Sequence, residues 1–532
     1  MNRIFRLSLL SAALAVGLGA CGGSSTVTAD GINQIDTVVV IYAENRGFDT
    51  LYGLFPGANG IPGVNPSSKI QYVPQKDFDG STLPVLPPTW GGMTVPGQSK
   101  VVTQAQSANL PNQPFQLDSA SGFNLDSTVI TRDLVHRFYN NQMQINGGNN
   151  DKFAAYSDAG GMTMGYYDGS KSAMWQLAKQ YTLADNFFIG AFGGSFLSHQ
   201  FLICACIPQY PNADKSVASG LISKIDVDAN GNFLRLTPAP GSPTSVLNGA
   251  PKYLNDGALT PADANGMFYA VNTMQPPYQP SNVKPAAADA SKLYADTSMP
   301  STLPPQTQKN IGDLLSDKGV DWAWYAGAWN ASLAAATSDR KFGVPVPNFQ
   351  FHHQPFNYFA NMDPVTHADY RAKHLRDFDS QFLSDAAAGK LPSVTFYKPQ
   401  GNLNQHSGYA DIASGDAHIA DVINKLKQSP QWGHMLIVVT YDENGGFWDH
   451  AAPPKADKWG PGSRVPAIIV SPFAKKGYVD SSLYDTSSIL RFITRRWSLP
   501  VLDGIAARDK AIAATGGKPI GDLTGALVYS QD

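Results

Sequence analysis

Cysteine is nearly absent from this chain of 532 residues, which has only Cys21, Cys204 and Cys206. That excludes the disulfide framework of small secreted domains, and the spacing forms no zinc motif. Charge is scarce too: Asp, Glu, Lys and Arg make up 15% of the residues, and the formal net charge is −3. There is no long basic run, which argues against nucleic-acid binding, because such proteins carry a basic patch or stripe. The apolar stretch at the N-terminus is too short to span a bilayer comfortably. Apart from one echo between two strands, no internal repeat is present.

Glycine and proline are plentiful, at 49 and 38 residues, and 43% of the chain is hydrophobic. Such a composition allows a large core interrupted by many loops and turns. The length fits two or three ordinary domains, or one large α/β domain with insertions.

The opening "MNRIFRLSLLSAALAVGLGA" has two arginines, an apolar stretch and small residues before Cys21, the layout of an export signal. Residues 1–20 are therefore set apart from the fold. The ending "LGAC" resembles a bacterial lipobox, which implies lipidation of Cys21 and an exported, lipid-anchored protein in the periplasm or outer membrane. Residues 21–34, rich in Gly, Ser and Thr, then act as a tether. Without Arg3 and Arg6 the formal charge is −3 − 2 = −5, so the body is mildly acidic. Cys204 and Cys206 in "FLICACIP" are open to two readings, a strained bridge or two buried thiols.

Short apolar runs with β-branched residues predict strands over 36–43, 393–397, 435–441 and 465–471. Runs that are apolar on both faces suit a buried, mainly parallel sheet. Helical patterns cover 172–188, 310–319, 367–390, 415–430 and 485–499, with Asp416 and Asp485 as starts and Gly389 as a stop. This alternation predicts an α/β layered domain. Residues 56–125 and 208–308 are rich in Pro, Gly, Asn and Ser, and read as insertions that crown a site.

Two strand ends echo one another. "TVVVIYAENRGF" runs into Glu44 and Asn45, and "HMLIVVTYDENGGFWDH" runs into Asp442 and Glu443. Ligands of α/β sheets collect beyond the carboxyl ends of parallel strands. If the two strands are neighbours, three carboxylates converge at one edge, and a divalent cation with oxygen ligands is the simplest remedy for their repulsion. His136, His352, His353 and His406 stand in polar or aromatic loops, where imidazoles can bind an anion or transfer protons near neutral pH. His418 and His434 read as packing residues, while His199, His367 and His374 have no assigned role. "IGAFGGSFLSHQ" offers Ser195 after two glycines; it does not match the G-x-S-x-G pattern, so activation by a metal is the better reading than Ser-His-Asp acyl chemistry.

The segments "AENRGFDTLYGLFPG", "HRFYNNQMQINGGNNDKF", "GGSFLSHQ", "FHHQPFNYF", "YDENGGFWDHAAPP" and "GPGSRVPAIIVSPFAKKGYVD" together resemble the bacterial phosphoesterase family of acid phosphatases and phospholipases C. They are nearest the acid phosphatases of Burkholderia and Francisella type. The resemblance covers essentially the whole mature chain and implies an α/β, alkaline-phosphatase-like fold: a mainly parallel sheet flanked by helices, with loop-rich insertions capping the site. The catalytic domain would span 35–500, leaving 501–532 as a C-terminal segment. It implies one divalent metal ion held by Glu44, Asn45, Ser195, Asp442 and Glu443, with Ser195 as the nucleophile that becomes phosphorylated. His136, His353 and His406, with Asn45, would contact the phosphoryl oxygens, supported by His352, and Asp442 would also handle the leaving-group proton. Gly47 and Ser198 depart from the family's common Ser and Asn, which puts substrate contacts near Ser198 in doubt. The implied activity is phosphomonoester hydrolysis on small phosphorylated substrates. The alternatives are phospholipase C and, in another class, a catalytically dead phosphate-binding lipoprotein.

Overall fold

A computed structural model describes residues 29–335 and 348–529. The export signal, Cys21 and the first part of the tether lie outside the described residues. Among those described, one nine-stranded sheet organises the molecule. Its strands in chain order are β1 (Thr37–Ala43), β2 (Thr182–Phe188), β3 (Trp322–Ala326), β4 (Leu375–Asp377), β5 (Val394–Lys398), β6 (Met435–Tyr441), β7 (Arg464–Val470), β8 (Tyr478–Asp480) and β9 (Tyr484–Asp485). The spatial order is β4-β3-β5-β1-β6-β7-β2-β8, with β9 also on β2.

Six of the eight pairings are parallel; those of β7 with β6 and with β2 are antiparallel. The central strands "TVVVIYA", "MLIVVTY" and "RVPAIIV" are buried along their whole length, as expected where both faces of a sheet are covered. The principal helices are α1 (Phe48–Tyr52), α2 (Phe138–Ile145), α3 (Ala173–Gln180), α4 (Ser195–Cys204), α5 (Ile311–Asp317), α6 (Ala368–His374), α7 (Ile412–Leu426), α8 (Ser487–Arg496) and α9 (Asp503–Ala514). None of the described helices is long and apolar enough to cross a membrane.

Several expected elements are corrected. The helix expected over 172–188 stops at Gln180, and its second half is β2, which pairs with β7, β8 and β9. Long-range pairing decides there over local propensity. The helix expected over 367–390 breaks after His374, where Leu375–Asp377 joins the sheet beside β3; a π-turn and a short helix follow. β3, the aromatic run "WAWYA", was not foreseen at all. α7 begins before Asp416, capped by Asp411, which accepts from Ser414 N. Asp416 instead accepts from Ala173 N at 2.7 Å and Met174 N at 3.1 Å, so it caps the start of α3. His434 is exposed and contacts Gln34 O through Nδ1 at 2.9 Å, so it is no core residue. His418 does pack, against Phe378 and Tyr397. Cys204 and Cys206 are joined in a disulfide at the end of α4.

The C-terminal segment is held to the sheet by charge. Arg508 of α9 is fully buried, 3.0 Å from Asp485 Oδ2 and 3.0 Å from each carboxylate oxygen of Asp457. A buried guanidinium needs such partners, because an unpaired one would carry the whole cost of desolvation.

His374 closes α6 with its ring stacked on Trp322, centroids 4.1 Å apart, and Nδ1 donating to Trp322 O at 2.7 Å. Burial pulls its pKa down to about 4, against about 6.5 in an unfolded chain. The folded state thus favours the neutral ring. Its contribution to stability is full above pH 6.5 and is lost as pH falls through about 4. Denaturant unfolding at pH 7 and pH 4 should show a smaller acid-induced loss for His374→Gln than for the parent; equal losses would contradict this account.

Candidate active site

β1 and β6 are hydrogen-bonded neighbours in parallel register, with Ala43 opposite Tyr441. The residues that follow them, Glu44 and Asp442, therefore leave the sheet side by side. Asn45, in the left-handed region at φ 58°, donates its backbone N–H to Asp442 Oδ1 at 3.0 Å. Glu443 N donates to the same oxygen at 2.8 Å. Glu44, Asp442 and Glu443 are all fully buried.

Ser195 arrives from the other side of the sheet. β2 ends at Phe188, and residues 189–194 turn the chain so that Ser195 is the first residue of α4. Gly193 has φ +94°, and a Cβ there would lie 2.4 Å from the Phe138 backbone. The turn therefore needs glycine both for its dihedral and for its closeness to the His136 loop. Ser195 Oγ lies 3.3 Å from Glu443 Oε1 and 3.4 Å from Asn45 Oδ1. The serine, the asparagine and the acid converge as their motifs implied.

The histidines form two groups. His136, His352 and His406 line a cavity of about 370 Å³ whose floor includes Ser195 and whose wall includes Asp133, Arg137, Gln350 and Tyr409. Val271, Asn272 and Thr273, from the second insertion, complete that wall, whereas the first insertion contributes none of its lining. His353 is not on the wall. It lies behind it, with Nε2 2.5 Å from Glu44 Oε1. Ser198 is buried one turn into α4, its carbonyl accepting from Tyr42 Oη at 3.3 Å, and does not line the cavity either. Its departure from the family's Asn thus falls away from substrate.

Two buried residues escaped the sequence reading. Lys398, the last residue of β5, places Nζ 2.7 Å from Glu44 Oε1. His199 lies below the serine, with Nδ1 donating to Ser195 O at 2.7 Å. A lysine at a strand end reads as a solvated charge, and a histidine inside "SFLSHQFLIC" reads as core; only the pairing of β5 with β1 would have flagged the lysine.

The acids respond differently to burial. For Glu44 burial acts upward, but Lys398, His353 and His406 outweigh it and hold the carboxyl well below its usual range. Burial and the nearby Glu44 push Asp442 up to about 7. Burial, aided by Asp442, drives Glu443 well above its usual value even though His136 opposes it. Burial works against a charged His136, yet Glu443 and Asp133 raise it to about 9, so this ring is cationic at neutral pH. His353 falls to about 4, and His352, His199 and His406 also fall, each chiefly through burial.

This donor set fits a hard divalent cation. Burial and mutual repulsion raise both Asp442 and Glu443, so added positive charge beside them is favoured, and Asp442 Oδ2 is buried with no hydrogen-bond partner among the described residues. Beside it, Arg464 clamps Asp49 and Asp449 at 3.0 Å each while His450 Nδ1 meets Asp49 at 2.7 Å. That clamp fixes the loop after β6 against α1.

The Phosphoesterase family model matches residues 35–500. The chain belongs to the phosphoesterase family. Phospholipase C A of Mycobacterium tuberculosis is 24% identical over 549 residues, covering 97% of this chain and 80% of that protein. Non-specific phospholipase C6 of Arabidopsis thaliana is 36% identical over 156 residues, 24% of this chain and 30% of its own. Among solved structures, a protein in the alkaline phosphatase superfamily from Vibrio parahaemolyticus aligns with TM-score 0.30 and 8% identity over 69% of this chain and 68% of its own. As a family member this phosphoesterase is a hydrolase of phosphoric ester bonds, so the reading as a dead binding protein falls.

Gly445 joins the two halves of the site: φ is +64°, and a Cβ would meet Asn45 O at 2.4 Å. Gly445→Ala should destabilise the fold by about 1–3 kcal/mol and, by shifting Asn45 and Glu443, lower turnover by roughly 10²-fold. Paired unfolding and kcat measurements check this; parent-like turnover would show that the close approach is not needed.

Proposed function

We propose that this phosphoesterase is a metal-dependent acid phosphatase that hydrolyses phosphomonoesters through a phosphoserine at Ser195. The observation that carries the reading is the serine itself, set at the start of a helix between Asn45 Oδ1 and Glu443 Oε1, on the floor of a cavity walled mainly by polar side chains. Glu44, Asn45, Ser195, Asp442 and Glu443 would hold one divalent cation. When bound, that ion supplies positive charge for hydroxyl activation and for the phosphoryl oxygens.

The chain's own residues supply the rest. Ser195 Oγ attacks phosphorus in line, and Glu443 Oε1, 3.3 Å away, receives its proton. Asn45 Nδ2 and the rings of His136, His352 and His406 hold the phosphoryl oxygens. His136 carries the charge among these, since the other two rings are held neutral by burial. Asp442 is off the cavity wall, so the leaving-group proton is assigned to His136, which is on it. Water then displaces the phosphoserine, and two in-line displacements retain configuration at phosphorus.

Phospholipase C cleavage is a second reading, favoured by the names of relatives such as phospholipase C A. It needs room for acyl chains, whereas Phe196 and Val271 are the apolar members of this wall. Cys21 as a lipid attachment to the periplasmic or outer-membrane surface belongs to the same proposal, resting on the lipobox resemblance alone.

Comparing a chromogenic phosphomonoester with a chromogenic phosphocholine diester across pH, with and without chelator, separates the two readings: faster diester cleavage would favour phospholipase C. Ser195→Ala should lower turnover by on the order of 10³-fold or more while leaving thermal unfolding unchanged, because the backbone carbonyl that accepts from His199 remains. Inversion at a chiral phosphorothioate substrate would defeat the phosphoserine.

A further inference from the structure

We infer that the Lys398 ammonium is a built-in cation standing in for a second metal ion, and that its removal opens a metal site formed by Glu44, His199 and His353. The inference rests on the one-ion reading above. Lys398 is fully buried, does not line the substrate cavity, and binds Glu44 Oε1 at 2.7 Å, with Nζ 5.4 Å from the centre of the Tyr42 ring. Buried and off that wall, it acts through its charge on Glu44.

The ammonium adds positive charge where three carboxylates meet. Glu44, Asp442 and Glu443 bring −3 into a dry interior; one divalent ion brings +2 and Lys398 brings +1, a sum of zero. Without Lys398 one negative charge would stay buried and unbalanced, a strongly unfavourable state.

Glu44, which the ammonium meets, belongs to a compact set of possible ligands. One donor atom each from Glu44, His199 and His353 lie within 4.8 Å of one another, all in buried residues. The rings of His199 and His353 stack with centroids 5.2 Å apart. Because Ser195 O can only accept, His199 Nδ1 must carry the proton, which leaves Nε2 with a free lone pair. That nitrogen is buried with no hydrogen-bond partner among the described residues. A backbone carbonyl orienting the far nitrogen is the usual support of a metal-binding imidazole. Two imidazoles and a carboxylate suit Zn²⁺ or Co²⁺. In the parent, Lys398 and His353 both meet Glu44 Oε1, and the ammonium repels any ion that would join them.

The test is a count of ions. Metal-stripped protein is loaded with excess Co²⁺, freed of unbound ion by gel filtration and assayed for cobalt per chain and for visible absorption. The parent and Lys398→Arg should each hold one ion. Lys398→Met should hold two, with added absorption from imidazole-ligated Co²⁺, and Lys398→Met/His199→Gln should return to one. A count of one in Lys398→Met, or of two in the parent, overturns the inference; Lys398→Gln, which keeps a polar group beside Glu44, is counted in the same way and decides where Lys398→Met is too unstable to purify. A count of zero in the parent overturns instead the one-ion reading beneath it.

Discussion

Everything at the working edge follows from the parallel, in-register pairing of β1 with β6. That pairing forces two acid-bearing strand ends into contact, and like charges in a dry interior cannot be left as they are. The rest of the site is a set of answers to that constraint. Lys398 and His353 settle Glu44; His136 faces Glu443; backbone N–H groups of Asn45 and Glu443 share one oxygen of Asp442. The second oxygen of Asp442, which has no hydrogen-bond partner among the described residues, is what makes the site fit a cation.

The same constraint separates the histidines by depth. Rings against the carboxylates but reached by solvent stay charged, as His136 does with 17% of its side chain exposed. Rings deeper in the protein are held neutral and serve as donors, props or latent ligands. On the cavity wall His136 thus differs from His352 and His406, as the one ring of the three whose affinity for a proton is raised rather than lowered.

The parts of this arrangement that were legible in the sequence share a physical reason. β1 and β6 could be read because each is a continuous β-branched run that breaks abruptly into acids, and Ser195 because the glycines before it permit a turn that few residues allow. β2 and the edge strand β4 were hidden inside segments with helical spacing, and their state is decided by partners far away in sequence. Lys398 and His199 were hidden for a different reason. Each owes its role to the neighbour that the sheet supplies, and nothing in "SVTFYK" or "SFLSHQFLIC" announces that neighbour. Where the chemistry needs a pattern local to the chain it could be seen; where it needs a meeting of distant segments it could not.

β7 runs against its neighbours, and this has a consequence for how such a site can diversify. A reversed strand delivers its first residue, Arg464, to the edge where the other strands deliver their last. The connection from β6 to β7, residues 442–463, must therefore leave and re-enter the sheet at the same rim. It works as a detachable visor: anchored at one end by the acids and at the other by the Arg464 clamp, it can lengthen, shorten or change its surface without altering any strand register. Its middle, Pro453–Asp457, already borders a separate cavity of about 480 Å³ beside α2. The surface of that second cavity can thus change while the carboxylate frame beneath stays fixed.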